Sequence, residues 1–141
     1  MAGKLLQHAL SAEKAPLNQI AVESAGVAAA KGVPASENSV AALKKVNIDL
    51  SQHKSQPVTQ ELINRALLIL GMTKAHLETL HSYNYQNLPE HLYLFRDFIK
   101  NDKNPQIPDP FGQNFTAYQA CLDSMLEAVP SIITFLRNLY K

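Results

Sequence analysis

Residues 67–95, "LLILGMTKAHLETLHSYNYQNLPEHLYLF", decide the fold. The block "LLILGM" (67–72) is a short, unbroken apolar run, the pattern of a parallel strand buried on both faces. "TKAHLETLHSY" (73–83) reads as a helix and "HLYLF" (91–95) as the next strand. Strand, helix, strand in succession is the unit from which parallel sheets are built.

Working towards the N-terminus, Thr59 is a candidate N-cap for a helix over "QELINRA" that runs directly into "LLILGM". Ser36 can cap an earlier helix, Glu37 suits its positive end, and Val40, Leu43 and Val46 supply its apolar stripe. In "QIAVESAGV" (19–27), Ile20 and Val22 alternate with Gln19, Ala21 and Glu23 before Gly26, which predicts a third strand. Leu5, Leu6, Ala9 and Leu10 fall at helical spacing until Pro16. Beyond the central unit, "NPQIPDPFGQN" (104–114) is a loop. A long terminal helix follows, with Tyr118, Cys121, Leu122, Met125, Leu126, Val129, Ile133 and Leu136 in register and a kink predicted at Pro130. The whole of 1–141 reads as one α/β domain with a parallel sheet, whose ligands sit beyond the carboxyl ends of the strands.

With 13 Lys+Arg against 12 Asp+Glu, scattered along the chain, the sequence lacks the charge footprint of nucleic-acid or membrane-surface binding. The opening stretch carries no signal-peptide apolar core, and a single cysteine suits a reducing compartment, so the expected location is cytoplasmic. No cofactor is expected. Gly26 and Gly32 stand apart and no Gly-Lys-Ser/Thr occurs, which removes the phosphate loops of nucleotide-binding proteins. His76, Glu78, His81 and His91 do not make a metal motif, because His76 and His81 are five apart and leave a shared helix face. Cys121 sits on the apolar stripe of the last helix, where a thiol behaves as a small hydrophobe.

Asp109 is the residue with most to say. It is held between Pro108 and Pro110, followed by Phe111 and Gly112. An aspartate there can simply bond to its own backbone in a stiff turn. A carboxylic acid on a rigid loop above the ends of parallel strands is equally suited to protonating a leaving group.

In order along the chain, "SAGV" (24–27), "GVPAS" (32–36), "HKSQPVT" (53–59), "LLILGM", "DPFG" (109–112) and Tyr118 resemble the low-molecular-weight protein-tyrosine phosphatase family. That family includes bacterial protein-arginine phosphatases and related arsenate reductases, and the resemblance spans essentially the whole chain. It implies that Asp109 is the general acid and then base, aimed by its two prolines, and that Phe111 borders the substrate pocket. It implies too that His53 buttresses the phosphate loop from behind. Phe111, where eukaryotic members carry tyrosine, and "MTKAH", where a Met-Asp start is common, lean towards the arginine-phosphatase-like branch.

The resemblance also implies a strand and a Cys-x5-Arg-Ser/Thr loop ahead of the first helix, supplying the thiolate nucleophile, the phosphate cradle and an arginine fork. The 141 residues contain neither, and Cys121, followed by Leu122 and Asp123, cannot stand in. Met1, Ala2 and Leu5 look like the residues just after that loop, with Gly3 where an acid is common. The expectation is therefore a truncated, N-terminally incomplete domain, lacking its first central strand and catalytically inactive as it stands. The sheet edges left open would invite a homodimer or a strand-complementing partner. The expected substrate of the complete form is a phosphorylated protein or a small phosphoester. The rival expectation is a non-catalytic pseudophosphatase that binds a protein, a drift that Leu67, where the family often has aspartate, permits.

Overall fold

A computed structural model describes residues 1–141. Its elements are α1 (Ala2–Ser11), a 3-10 turn (Leu17–Gln19), α2 (Glu37–Lys44), α3 (Gln60–Arg65), β1 (Leu68–Gly71), α4 (Lys74–Ser82), β2 (His91–Leu94) and α5 (Phe115–Leu139). The expected α/β order is observed. β1 and β2 pair in parallel with Leu68 opposite His91 and Gly71 opposite Leu94, joined across the sheet by α4. Leu68 and Leu70 pack into the main core, and His91 and Tyr93 meet Phe135 of α5 on that same face. The opposite face carries α4. Gly71 allows the close approach there, since a Cβ on it would lie 2.9 Å from Leu77 Cδ2.

The helix ends follow local chemistry. Ser36 Oγ accepts the Ser39 N–H at 3.2 Å and Thr59 Oγ1 accepts that of Leu62 at 3.2 Å, as N-caps should. α2 stops at Lys44, before Val46, because Asn47 adopts a left-handed φ of 62° and lets Ile48 N–H reach back to Leu43 O at 3.0 Å. α5 is the spine of the core. It buries Tyr118, Cys121, Leu122, Met125, Ala128, Val129, Ile132, Ile133 and Leu136, each large apolar side chain contributing about 1.5–3 kcal/mol. The helix continues through Pro130 rather than ending there. Pro130 deprives the Leu126 carbonyl of its usual donor, and Leu126 is exposed, so water can take that place.

One expected element is absent. The stretch 20–24 is extended but belongs to no strand, and the sheet has two strands rather than three. Its backbone is satisfied by a side chain instead. Gln7 of α1 donates from Nε2 to Ile20 O at 3.1 Å and accepts from Val22 N–H at 2.8 Å, serving as a peptide group would. The alternation of Ile20 and Val22 describes which side chains face inward. It does not supply a neighbouring strand, and a ladder needs one.

Candidate active site

The segments that carried the resemblance converge. Gly26 N–H donates to Gln56 O at 2.9 Å and Val58 N–H to Gly26 O at 3.1 Å. Gly32 N–H donates to Ser55 O at 2.8 Å and Ser55 N–H to Val33 O at 2.8 Å. "SAGV" and "GVPAS" are thereby zipped to "HKSQPVT". Against them lies the first turn of α1, where N–H groups lack intrahelical partners. A polar cleft of about 260 Å³ forms between these parts, lined by Gly3, Lys4, Gln7, Ser24, His53 and Lys54. His53 therefore stands beside the start of α1. Burial, then the Met1 amino group, then Lys4 push its proton affinity below the ordinary histidine range.

Asp109 and Phe111 do not line this cleft; they lie on the loop that follows β2. Phe95 N–H donates to Gly71 O at 2.8 Å, and Ile107 N–H donates to Met72 O at 2.8 Å, so the loop after β2 is fastened to the end of β1. Ile107 is only 2% exposed and Pro110 is buried, while Asp109 between them is open to solvent. Asp109 Oδ1 accepts the Phe111 N–H at 3.0 Å, and Gln113 N–H closes on Pro110 O at 2.9 Å. Gly112 provides the φ of 78° that this turn requires at its third position. The carboxyl organises its own turn through one oxygen, as a stiff Pro-Asp-Pro turn would, and its second oxygen makes no hydrogen bond within the chain. Phe111 projects beside it with 79% of its surface exposed.

Cys121 links the two halves electrostatically without joining the chemistry. Burial raises its thiol's proton affinity, the Met1 amino group opposes that, and Asp109 adds to it. Cys121 thus feels charge from the start of α1 and from Asp109. A buried thiol kept protonated is a poor nucleophile, as the sequence indicated. His76, expected to be part of a polar helix face, instead turns its Nδ1 onto the backbone at the end of β1, accepting from Met72 N–H at 3.2 Å and Thr73 N–H at 3.4 Å. Periodicity gives no sign of such a contact; the only available cue was the position three residues beyond an N-cap threonine. No helix is long and apolar enough to cross a membrane.

Comparison with known proteins agrees with this assembly. The family described as low molecular weight phosphotyrosine protein phosphatase matches residues 1–140. A probable low molecular weight protein-tyrosine-phosphatase, EpsP, of Ralstonia nicotianae is 29% identical over 85% of this chain and 79% of its own. The protein-arginine-phosphatase of Bacillus subtilis is 29% identical over 90% of this chain and 82% of its own. Among solved structures, the YwlE arginine phosphatase of Geobacillus stearothermophilus superposes with a TM-score of 0.80 at 26% identity, over 97% of this chain and 83% of that one. The low molecular weight protein tyrosine phosphatase of T. tengcongensis gives 0.81 at 26% identity, over 94% and 87%. The zipped loops, the Asp109 turn and these matches together place the chain in the low molecular weight phosphotyrosine protein phosphatase family.

Proposed function

We propose that this protein, in a form that carries a Cys-x5-Arg loop ahead of Met1, hydrolyses the phosphoryl group from protein tyrosine or arginine side chains with Asp109 as its acid. The observation that carries the reading is the Asp109 carboxyl: solvent-open on a two-proline turn whose loop is fastened to the residue just past the end of β1. A thiolate from the loop attacks phosphorus, and the bond to the leaving oxygen or nitrogen breaks as Asp109 gives it a proton. Water then releases phosphate from the phosphocysteine while Asp109 takes the proton back. Phe111 borders the pocket and His53 supports the loop from behind. Phe111 and the Met72–Thr73 pair favour phosphoarginine, and the substrate pool is cytoplasmic. The 141-residue polypeptide, whose one thiol is the buried Cys121, is inactive alone.

The test compares the 141-residue polypeptide with a form extended by such a loop, on p-nitrophenyl phosphate and on free phosphoarginine, each with Asp109→Asn. Turnover is expected only in the extended form, and Asp109→Asn should remove about 10²–10⁴-fold of it. Turnover by the 141-residue polypeptide that survives Cys121→Ser but is lost in Asp109→Asn would overturn the inactivity of this chain.

A second reading is favoured by one observation: β1 pairs on one side only, with β2. In that reading the chain is a non-catalytic module whose open edge takes a strand from a partner or from a second copy. A stable complex on that edge, with no turnover in any extended form, is its signature.

A further inference from the structure

We propose that His76 is a positioning residue for Asp109, acting with Gln106 through the turn that ends β1. Its consequence for catalysis rests on the acid role proposed above; the mechanical coupling does not.

The turn Met72–Lys74 is held from two sides. From α4, His76 Nδ1 accepts the N–H groups of Met72 at 3.2 Å and Thr73 at 3.4 Å. From the loop that carries Asp109, Ile107 N–H donates to Met72 O at 2.8 Å, and Gln106 Oε1 accepts Lys74 N–H at 3.0 Å. Met72 is the shared piece, its N–H taken by the imidazole and its carbonyl by the acid loop. An imidazole nitrogen that accepts two N–H groups carries no proton, so the ring proton sits on Nε2. The backbone that carries the ring is held close to the turn, because His76 N–H bonds Thr73 O at 3.1 Å and Gly71 leaves room for His76 and Leu77 to close on the strand.

From Ile107 to Asp109 the chain has little freedom. Ile107 is buried, Pro108 has a fixed φ, and Pro110 is buried on the far side. A shift of the Met72 carbonyl therefore passes to the Asp109 carboxyl instead of being absorbed. Without an acceptor at residue 76, the Met72 and Thr73 N–H groups must find water or move, and the platform under Ile107 moves with them.

A residue that merely starts α4 would be felt in α4 alone. Amide exchange in the intact protein separates the two roles, using His76→Leu, which removes the acceptor, and His76→Asn, whose Oδ1 can replace Nδ1. In His76→Leu, exchange at Ile107 and Phe111 should rise about tenfold or more while Leu122 and Ile132 in α5 change by less than about threefold. His76→Asn should return Ile107 and Phe111 to within about threefold of the parent. Unchanged exchange at Ile107 in His76→Leu, a uniform rise that includes α5, or failure of asparagine to rescue would each overturn the proposal. Failure of the acid role would appear separately, as Asp109→Asn retaining turnover while the exchange result stands.

Discussion

The N–H of Ile107 donates to the carbonyl of Met72 at 2.8 Å, so the loop bearing Asp109 leaves the sheet from a fixed point one residue beyond β1. The relation explains how an exposed carboxylate can be well placed. Its position is set by buried neighbours on either side, Ile107 and Pro110, while the exposed carboxyl bonds only the Phe111 N–H of its own turn.

Asp109→Asn separates fold from chemistry. Asparagine keeps a side-chain oxygen for the Phe111 N–H and tolerates the same turn, so thermal or urea unfolding should shift by no more than about 0.5 kcal/mol. Asparagine has no proton to give at neutral pH. In an extended, active form the loss should be larger on phenyl phosphate than on p-nitrophenyl phosphate, because the poorer leaving group depends more on the acid. Equal losses on both substrates would count against proton donation.

Cys121 should be a silent thiol. It is buried on α5 and its proton affinity is raised chiefly by that burial, so Ellman's reagent should label the native protein slowly and the urea-unfolded protein at once. Cys121→Ser places a hydroxyl in the same apolar setting, at a cost of about 1–3 kcal/mol on unfolding, with no effect on turnover in an active form. Rapid native labelling would mean that the thiol is open to solvent.

Much of the fold was legible because the deciding elements announce themselves by composition. "LLILGM" and "HLYLF" are apolar runs bounded by polar residues, and Ser36 and Thr59 stand where caps belong; β1, β2, α2 and α3 follow. Asp109 was legible because two prolines advertise a rigid turn. The strand expected at 20–24 does not form, because alternation reports facing and not pairing, and the side-chain amide of Gln7 bonds its backbone at Ile20 and Val22. Pro130 lies inside a helix that runs on to Leu139, and the carbonyl it leaves unbonded belongs to the exposed Leu126. The role of His76 is not legible, because its contact is with a backbone turn, which leaves no periodic trace.

His53 should make stability depend on pH near neutrality. Burial, aided by the positive charges of Met1 and Lys4, holds its folded proton affinity below the ordinary value of 6.5. A histidine depressed in this way binds its proton more tightly in the unfolded chain, so its contribution is fully present above pH 6.5 and is lost as pH falls through the folded value. Urea midpoints measured from about pH 7.5 down to about pH 5 should decline in the parent and decline less in His53→Gln. Parallel slopes in the two proteins would remove His53 from the account.

Gln7 carries the last prediction, since its amide satisfies two backbone groups in the stretch 20–24 that no strand does. It offers Ile20 a donor and Val22 an acceptor, so Gln7→Ala abandons two partly buried groups, each bond being worth about 0.5–1.5 kcal/mol. Unfolding free energy should fall by about 1–3 kcal/mol, and the Val22 amide should lose exchange protection before the core does. Gln7→Glu is the sharper variant. Its carboxylate can still accept from Val22 N–H but meets the Ile20 carbonyl with an oxygen, so protection should persist at Val22 while stability still falls. If Gln7→Ala leaves both stability and Val22 protection untouched, water satisfies this edge as well as the amide does.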